Sequence, residues 1–211
     1  LALCGSSLML MSQYGKDRIY ILSSLVQLLI DPFYRTLKGF QILIEKEWVS
    51  FGFPFLSRSG IIRSSSSGED TEGPTFTLFI DCVYQLILQF PTAFEFTEVF
   101  LIHILYHTQT GQYGTFLCDN EHLRIDSLIR VTTVSLWSVL NADHPDVINP
   151  SYDDVDNQKP LLPVGGVQNL RFWSNFYFRN SQNYTFFPIG RSMRGCDIWN
   201  EPDLKISHPP P

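Results

Sequence analysis

The residues with the clearest chemical potential sit near the start of the chain. Ser12-Gln13-Tyr14-Gly15-Lys16-Asp17 is a polar stretch that ends at Arg18. The apolar run Leu8-Met9-Leu10-Met11 precedes it and is the best strand candidate in the chain. A long apolar run follows it. A strand, a tight loop with a glycine and then a helix is an arrangement that binds anions. The loop N–H groups converge on one point, and the helix N-terminus adds the positive end of its dipole. Arg18 at the start of that helix can grip a phosphate with two N–H bonds. Gly15 and Arg18 are therefore the phosphate-binding candidates. On spacing alone, many helices begin this way without a ligand.

Other constellations are weaker. His103 and His107 stand four apart on an expected helix, which is a metal-ligand spacing, but no third ligand is obvious. The plainer reading makes His103 an interior hydrogen-bonded residue and His107 a cation at a helix end. The four cysteines, Cys4, Cys82, Cys118 and Cys196, form no CxxC pair, and Cys82 falls in an apolar helical pattern as a buried thiol. That usage fits a reducing, cytosolic compartment. Glu45-Lys46-Glu47 reads as a solvated helix face with Trp48 turned inward. Arg35 and Arg58 read as members of local salt bridges, with lipid contact as the competing reading. Phe172-Trp173 and Phe176-Tyr177-Phe178 suit core packing, with a membrane or partner surface as the alternative. Asn183-Tyr184-Thr185 matches the glycosylation sequon, a pattern common by chance.

The elements that would position these groups are mostly helical. Ile21, Leu22, Leu25, Val26, Leu29 and Ile30 form one stripe, stopped by Asp31-Pro32. A second helix is expected from about Thr36 to Ser50, closed by Gly52 and Pro54. Residues 57–75 are expected to be a mobile loop, because the serine run has no apolar period. A third helix runs from Phe76 to Phe90, and Thr97 caps a fourth through about His107. Asn120 caps a short helix, and Ser135 to Leu140 forms another. Asp143 to Gly166 is loop-like, a last helix covers Leu170 to Tyr177, and residues 180–211 are an irregular tail.

Composition bounds the function. A net charge of −6 argues against a nucleic-acid module held by a basic surface. The greasiest stretches are shorter than the roughly 20 apolar residues a membrane span needs, or are interrupted by polar groups. With 44% hydrophobic residues and 17 Phe, the chain can bury a core. That greasiness is also expected to mark surface covered by protein outside this sequence. The start at Leu1 suggests a fragment.

A series of blocks carries a family resemblance. Asp31-Pro32-Phe33-Tyr34-Arg35-Thr36 is followed by Gly39-Phe40 and by Ile44-Glu45-Lys46-Glu47-Trp48-Val49-Ser50-Phe51-Gly52. Then come Phe79-Ile80-Asp81-Cys82-Val83 and Gln89-Phe90-Pro91-Thr92-Ala93-Phe94-Glu95-Phe96. Gly114-Thr115-Phe116-Leu117-Cys118 and Thr133-Val134-Ser135-Leu136-Trp137-Ser138 complete the order. From about Leu10 to about Arg179, the chain closely resembles the C-terminal half of the myotubularin phosphatase domain. The resemblance implies an α/β cysteine-phosphatase-like fold, of which this piece is mainly α-helical. Residues 1–179 would be the C-terminal part of that domain, with its loop at 12–18. The family's N-terminal lipid-binding domain, the first half of its phosphatase domain and its coiled coil are not visible.

The family's loop reads His-Cys-Ser-Asp-Gly-Trp-Asp-Arg-Thr and removes the 3-phosphate from phosphatidylinositol 3-phosphate and the 3,5-bisphosphate. Counting back from Leu22-Ser23-Ser24-Leu25 puts Arg18 on the motif arginine, Asp17 on its second aspartate and Gly15 on its glycine. Ser12 stands in the place of the nucleophilic cysteine. Met11, Gln13, Tyr14, Lys16 and Ile19 also depart from the motif. A thiolate attacks because its pKa is lowered, whereas a serine without an adjacent base stays protonated. Asp17, matched to the family's acid, has no nucleophile to work with. The resemblance therefore implies an inactive member that partners an active myotubularin paralogue in a hetero-oligomer, cytoplasmic and peripheral on endosomal membranes. It implies no metal and no cofactor. A phosphoinositide headgroup is a further partner the loop suggests. One alternative stays open: an active 3-phosphatase whose true loop a misjoined exon has replaced.

Overall fold

The structure is a computed structural model that describes residues 5, 7, 9–12, 17–58, 73–141, 145–155 and 157–179. The chain divides after Arg171 into two units, the second described over 172–179. Helix α1 spans Arg18–Ile30. It buries Ser24 and Leu28, one turn apart, whereas Leu22 and Ile30 of the expected stripe are exposed, and it stops at Asp31 because Pro32 cannot continue it. Asp31 instead accepts the Phe33 amide at 2.9 Å and opens a 3-10 turn, Pro32–Arg35.

Thr36 starts α2, Leu37–Ile44, by accepting the Gly39 amide at 2.9 Å. Gly39 is required there: a Cβ would lie 1.8 Å from the Phe33 carbonyl oxygen. The helix then widens into a π-turn, Glu45–Ser50, which buries Glu47, Trp48 and Val49 in succession. This corrects the expectation of a solvated Glu45-Lys46-Glu47 face. Glu47 accepts a 2.6 Å bond from the Ser23 hydroxyl of α1, and Lys46 lies 3.5 Å from it. Lys46 also donates to Gln27 and to the Tyr34 hydroxyl. Glu45 takes the Trp137 indole N–H at 2.7 Å.

A one-turn helix, α3, covers Phe55–Arg58, and α4 covers Thr75–Gln89. The loop expected over 57–75 is shorter than that, since Ser57 and Arg58 belong to α3 and Thr75 opens α4; its serine run lies outside the described residues. Helix α5 spans Glu98–Thr110 and ends at Gly111 with φ 61°. Thr97 sits at its start but does not cap it, because its hydroxyl donates to the Asp146 carbonyl at 2.6 Å. Helix α6, Glu121–Asp126, is capped by Asn120, and α8, Leu136–Leu140, by Ser135. Between them lies α7, Ile129–Thr132, which the β-branched run Val131-Thr132-Thr133-Val134 hides from pattern reading. The last helix is only α9, Ser174–Tyr177.

The core of the first unit is aromatic. Trp48, wholly buried, meets Phe53 and Phe76 at 4.9 Å edge-on and Phe79 at 5.0 Å. Phe40, Phe96 and Phe100 extend the cluster on one side, and Phe55 and Phe116 on the other. Most described phenylalanines are therefore core, while other large apolar side chains, among them Leu22, Phe33, Phe51 and Leu78, are exposed. Trp48 also donates its indole N–H to Ser24 at 2.9 Å, so no polar atom is orphaned at this centre.

Residues 145–155 and 157–161 bind across the 91–97 segment, as expected with little regular structure. Asn149 donates to the Pro91 and Phe94 carbonyls, both at 2.8 Å, and Phe96 pairs with Ile148 in an isolated antiparallel bridge. Arg35, fully buried, donates to the Lys159 carbonyl at 3.0 Å, so neither a lipid face nor a salt bridge describes it. Among the described residues no strand forms. The strand expected at Leu8–Met11 is absent over residues 9–11, where Met9 and Met11 are 80% and 84% exposed. A strand needs a hydrogen-bonded neighbour, and none of the described segments provides one there.

Candidate functional site

Asp17 is the residue around which the site is organised. It precedes α1, yet its carboxylate does not cap that helix. Arg58 holds it instead: Nη2 lies 2.9 Å from Oδ1 and 3.2 Å from Oδ2. The Thr75 hydroxyl donates a third bond to Oδ1 at 3.0 Å. Segments 41 and 58 residues away thus converge on one carboxylate. The Arg58 side chain is only 17% exposed, so water weakens this pair less than one fully on the surface. Of the two readings of Arg58, the salt bridge is the one formed.

Arg18 is exposed, and its side chain makes no hydrogen bond or ion pair with a described residue. Ser12 is exposed too. Gly15, the other phosphate-binding candidate, lies outside the described residues, as do Gln13, Tyr14 and Lys16. Tyr20, one turn into α1, donates to the Phe51 carbonyl at 3.2 Å. Burial, and then the Asp17 charge, push its hydroxyl pKa above the ordinary value, so it stays a neutral donor.

A cleft of about 380 Å³ opens beside Arg58, walled by Phe53, Phe55, Phe76, Gly73 and Pro74. Two anchors of this region left no trace in the sequence pattern. Thr75 falls at the end of the expected 57–75 loop, and Asp119 carries no signal beyond standing next to the Asn120 cap. Asp119 in fact accepts the Leu56 amide at 2.7 Å and the Ser57 amide at 3.1 Å. Only the shared loss of every other partner for those amides could have flagged it, and that is a tertiary fact.

The histidine pair is interior. The rings of His103 and His107 stack at 6.2 Å, and His107 is 7% exposed, against Tyr106 and Tyr113. Burial first, and the neighbouring His103 second, lower the His107 pKa to about 4. It is a neutral ring at physiological pH and not the helix-end cation expected. Among the described residues no three His, Cys, Asp or Glu side chains cluster as metal ligands. Burial and Asp81 push the Cys82 thiol up, away from thiolate chemistry. No helix among the described residues is long and apolar enough to cross a membrane.

Residues 1–125 match the family model described as the myotubularin-like phosphatase domain. The chain belongs to the myotubularin family. It is 45% identical over 165 residues to phosphatidylinositol-3,5-bisphosphate 3-phosphatase MTMR2 of Gallus gallus, covering 78% of this chain and 28% of that protein. The Mus musculus protein of the same name is also 45% identical over 165 residues, 25% of its length. Myotubularin of Rattus norvegicus is 42% identical over 174 residues, 82% of this chain and 29% of the relative. This myotubularin sequence therefore spans a little over a quarter of the length of the relatives it matches. Its matched span includes the polar loop at residues 12–18.

Proposed function

We propose that the protein is a myotubularin pseudophosphatase, a regulatory partner of active phosphoinositide 3-phosphatases. Its complete domain would have the α/β cysteine-phosphatase-like fold, with these helices on one side of a sheet supplied by the rest of the domain. The protein would be cytoplasmic and peripheral on endosomal membranes, in a hetero-oligomer with an active paralogue. The reading rests on the loop alignment, which puts a serine, Ser12, at the position of the nucleophile. In-line attack on a phosphate monoester needs a thiolate or an activated hydroxyl, and Ser12 lies in a segment with no histidine to activate it. Asp17, at the acid position, has its carboxylate held by Arg58 and Thr75.

The full-length protein should release no phosphate from phosphatidylinositol 3-phosphate above background. Ser12→Cys alone should not restore turnover, because Tyr14, Lys16 and Ile19 also depart from the motif. Turnover that survives Ser12→Ala would remove the loop alignment and this reading with it. A stable complex with an active myotubularin, recovered from purified components, is the positive counterpart.

The exposed Arg18 leaves room for headgroup binding without turnover. An always-charged guanidinium contributes on the order of 1.5–3 kcal/mol per charge-assisted bond. Arg18→Ala should then weaken binding of soluble phosphatidylinositol 3-phosphate by about tenfold or more. Equal binding by both proteins, or none by either, leaves protein contact as the function.

A second reading has its own support. Relatives 45% identical to this chain carry the name of a phosphatidylinositol-3,5-bisphosphate 3-phosphatase. If a misjoined exon produced the loop, the protein is an enzyme of that class. The transcript across the codons for Leu1 to Ile21 decides this: a His-Cys-Ser-Asp-Gly-Trp-Asp-Arg reading replaces the pseudophosphatase with the enzyme.

A further inference from the structure

We propose that Asp119 is a positioning residue for the loop, acting on Asp17 through α3 and Arg58. The proposal rests on reading residues 12–18 as the family's phosphate loop. Helix α3 is a single turn, Phe55–Arg58, and cannot satisfy its own N-terminal amides. Pro54 precedes it and has no N–H. Only the Arg58 amide finds a helical acceptor, the Pro54 carbonyl at 2.9 Å. Asp119 takes the next two amides, those of Leu56 and Ser57, on a single oxygen. Its second oxygen accepts the Ser57 hydroxyl. The cap of this turn thus comes from more than 60 residues away, where a helix more commonly carries its own.

Asp119 is itself held firmly. Buried Arg124 donates to the carbonyls of Gly114, Thr115 and Leu117 at 3.0, 2.8 and 2.5 Å, which pins the turn leading to it. Cys118 then takes φ 68°, a left-handed conformation rarely adopted outside glycine. Such strain persists only where the surroundings over-determine it. Here it turns the chain so that the next carboxylate reaches α3. The last residue of α3 is Arg58, and both oxygens of Asp17 lie on its Nη2. Removing the Asp119 carboxylate leaves α3 without a cap and Arg58 without a fixed base from which to hold Asp17.

Hydrogen exchange in the full-length protein tests this at two places. One is the Leu56 and Ser57 amides. The other is the start of α1, where the first helical bonds end on the carbonyls of Asp17 and Arg18. Asp119→Ala should speed exchange at both, roughly five- to thirtyfold. Asp119→Asn keeps an oxygen acceptor and should leave both near the wild-type rate. Arg58→Ala should loosen the start of α1 alone, and adding Asp119→Ala to it should change α1 no further. Loosening of α3 with an unchanged α1 in Asp119→Ala overturns the proposal, as does a full additional effect in the double variant. If Asp119→Ala exchanges throughout α4 like an unfolded chain, Asp119→Ser, which keeps one acceptor, takes its place and is read in the same way. The loop reading fails separately. Wild-type protein that binds no soluble phosphatidylinositol 3-phosphate, while Asp119→Ala still loosens both places, keeps the relay and removes the phosphate from it.

Discussion

The Trp48 centre and the Asp17 edge share helix α4 and are built on opposite principles. At Trp48, rings from the π-turn, Phe53 and α4 pack 4.9–5.0 Å apart, and the one indole N–H is paired with Ser24. The contacts are short-ranged, numerous and tolerant of small rotations. At Asp17, three directional bonds from two distant segments define the position of a carboxylate that is 43% exposed. The core is redundant, so its loss is catastrophic only when a large ring goes. The edge has few bonds and each has a direction, so small changes there move the geometry while the fold persists. Loop chemistry on such an edge can vary without refolding the domain.

The largest expected effect lies at the centre. Trp48→Ala should destabilise the protein by about 3–5 kcal/mol, through the cavity and through the Ser24 hydroxyl left unpaired. Denaturant unfolding measures it. A loss below about 1 kcal/mol would break the contrast, since it would mean the centre is no more demanding than the edge.

His107 gives a pH-dependent version of the same contrast. Its folded pKa of about 4 lies below the unfolded value, so the unfolded chain binds the proton first as pH falls. Stability should drop as pH goes from about 6.5 to 5, by about 2 kcal/mol, before carboxylates titrate. His107→Gln should flatten that slope. An unchanged slope in the variant would show that another group carries the titration.

Gly39→Ala comes next. The new Cβ meets the Phe33 carbonyl carbon and oxygen, which are backbone and cannot swing aside. Overpacking of this kind costs about 1–3 kcal/mol. The thermal midpoint should fall, and a neutral result would show that the Pro32–Arg35 turn moves more freely than its bonds suggest.

How far the sequence could be read follows the same division. Helix α4 announces itself because it buries one stripe of a 3.6-residue period, and Phe90-Pro91 ends it. Helix α1 is legible by its stop at Pro32, although Ser24 and Leu28 are buried in place of the expected stripe, and α5 is buried on most of its sides. Asn120 is legible as a cap because capping is local, and Ser135, expected as the first helical residue, is the cap of α8. The π-turn is not legible, since the same residues fit an α-helix until packing against Ser23 and Gln27 draws Glu47 and Lys46 inward. Thr97 fails as a cap because a distant carbonyl competes for its hydroxyl. The strand at Leu8–Met11 rested on apolar runs alone, which do not supply a partner. At the candidate site, Arg18 and Asp17 are legible by counting against a motif. The grip of Arg58, Thr75 and Asp119 is not, because it joins segments with no shared period.

The smallest effect tests the edge most directly. Thr75→Val keeps the shape of the side chain and removes one hydroxyl, whose bond to Asp17 is 3.0 Å long. The carboxylate is partly exposed, so water can take the vacated position, and Arg58 still holds both oxygens. The expected loss of stability is about 0.5–1 kcal/mol, the range of a single replaceable hydrogen bond. The geometry should respond more than the energy does. Without Thr75, the carboxylate depends on an ion pair, and added salt screens an ion pair far more than a neutral donor. Stability of Thr75→Val should therefore fall more steeply with salt than that of the wild type, measured by thermal unfolding at low and high ionic strength. Parallel salt dependence would mean that Arg58 contributes little at Asp17 and that the hydroxyl was the principal tie. A loss as large as that of Trp48→Ala would mean that the edge, too, is part of the core.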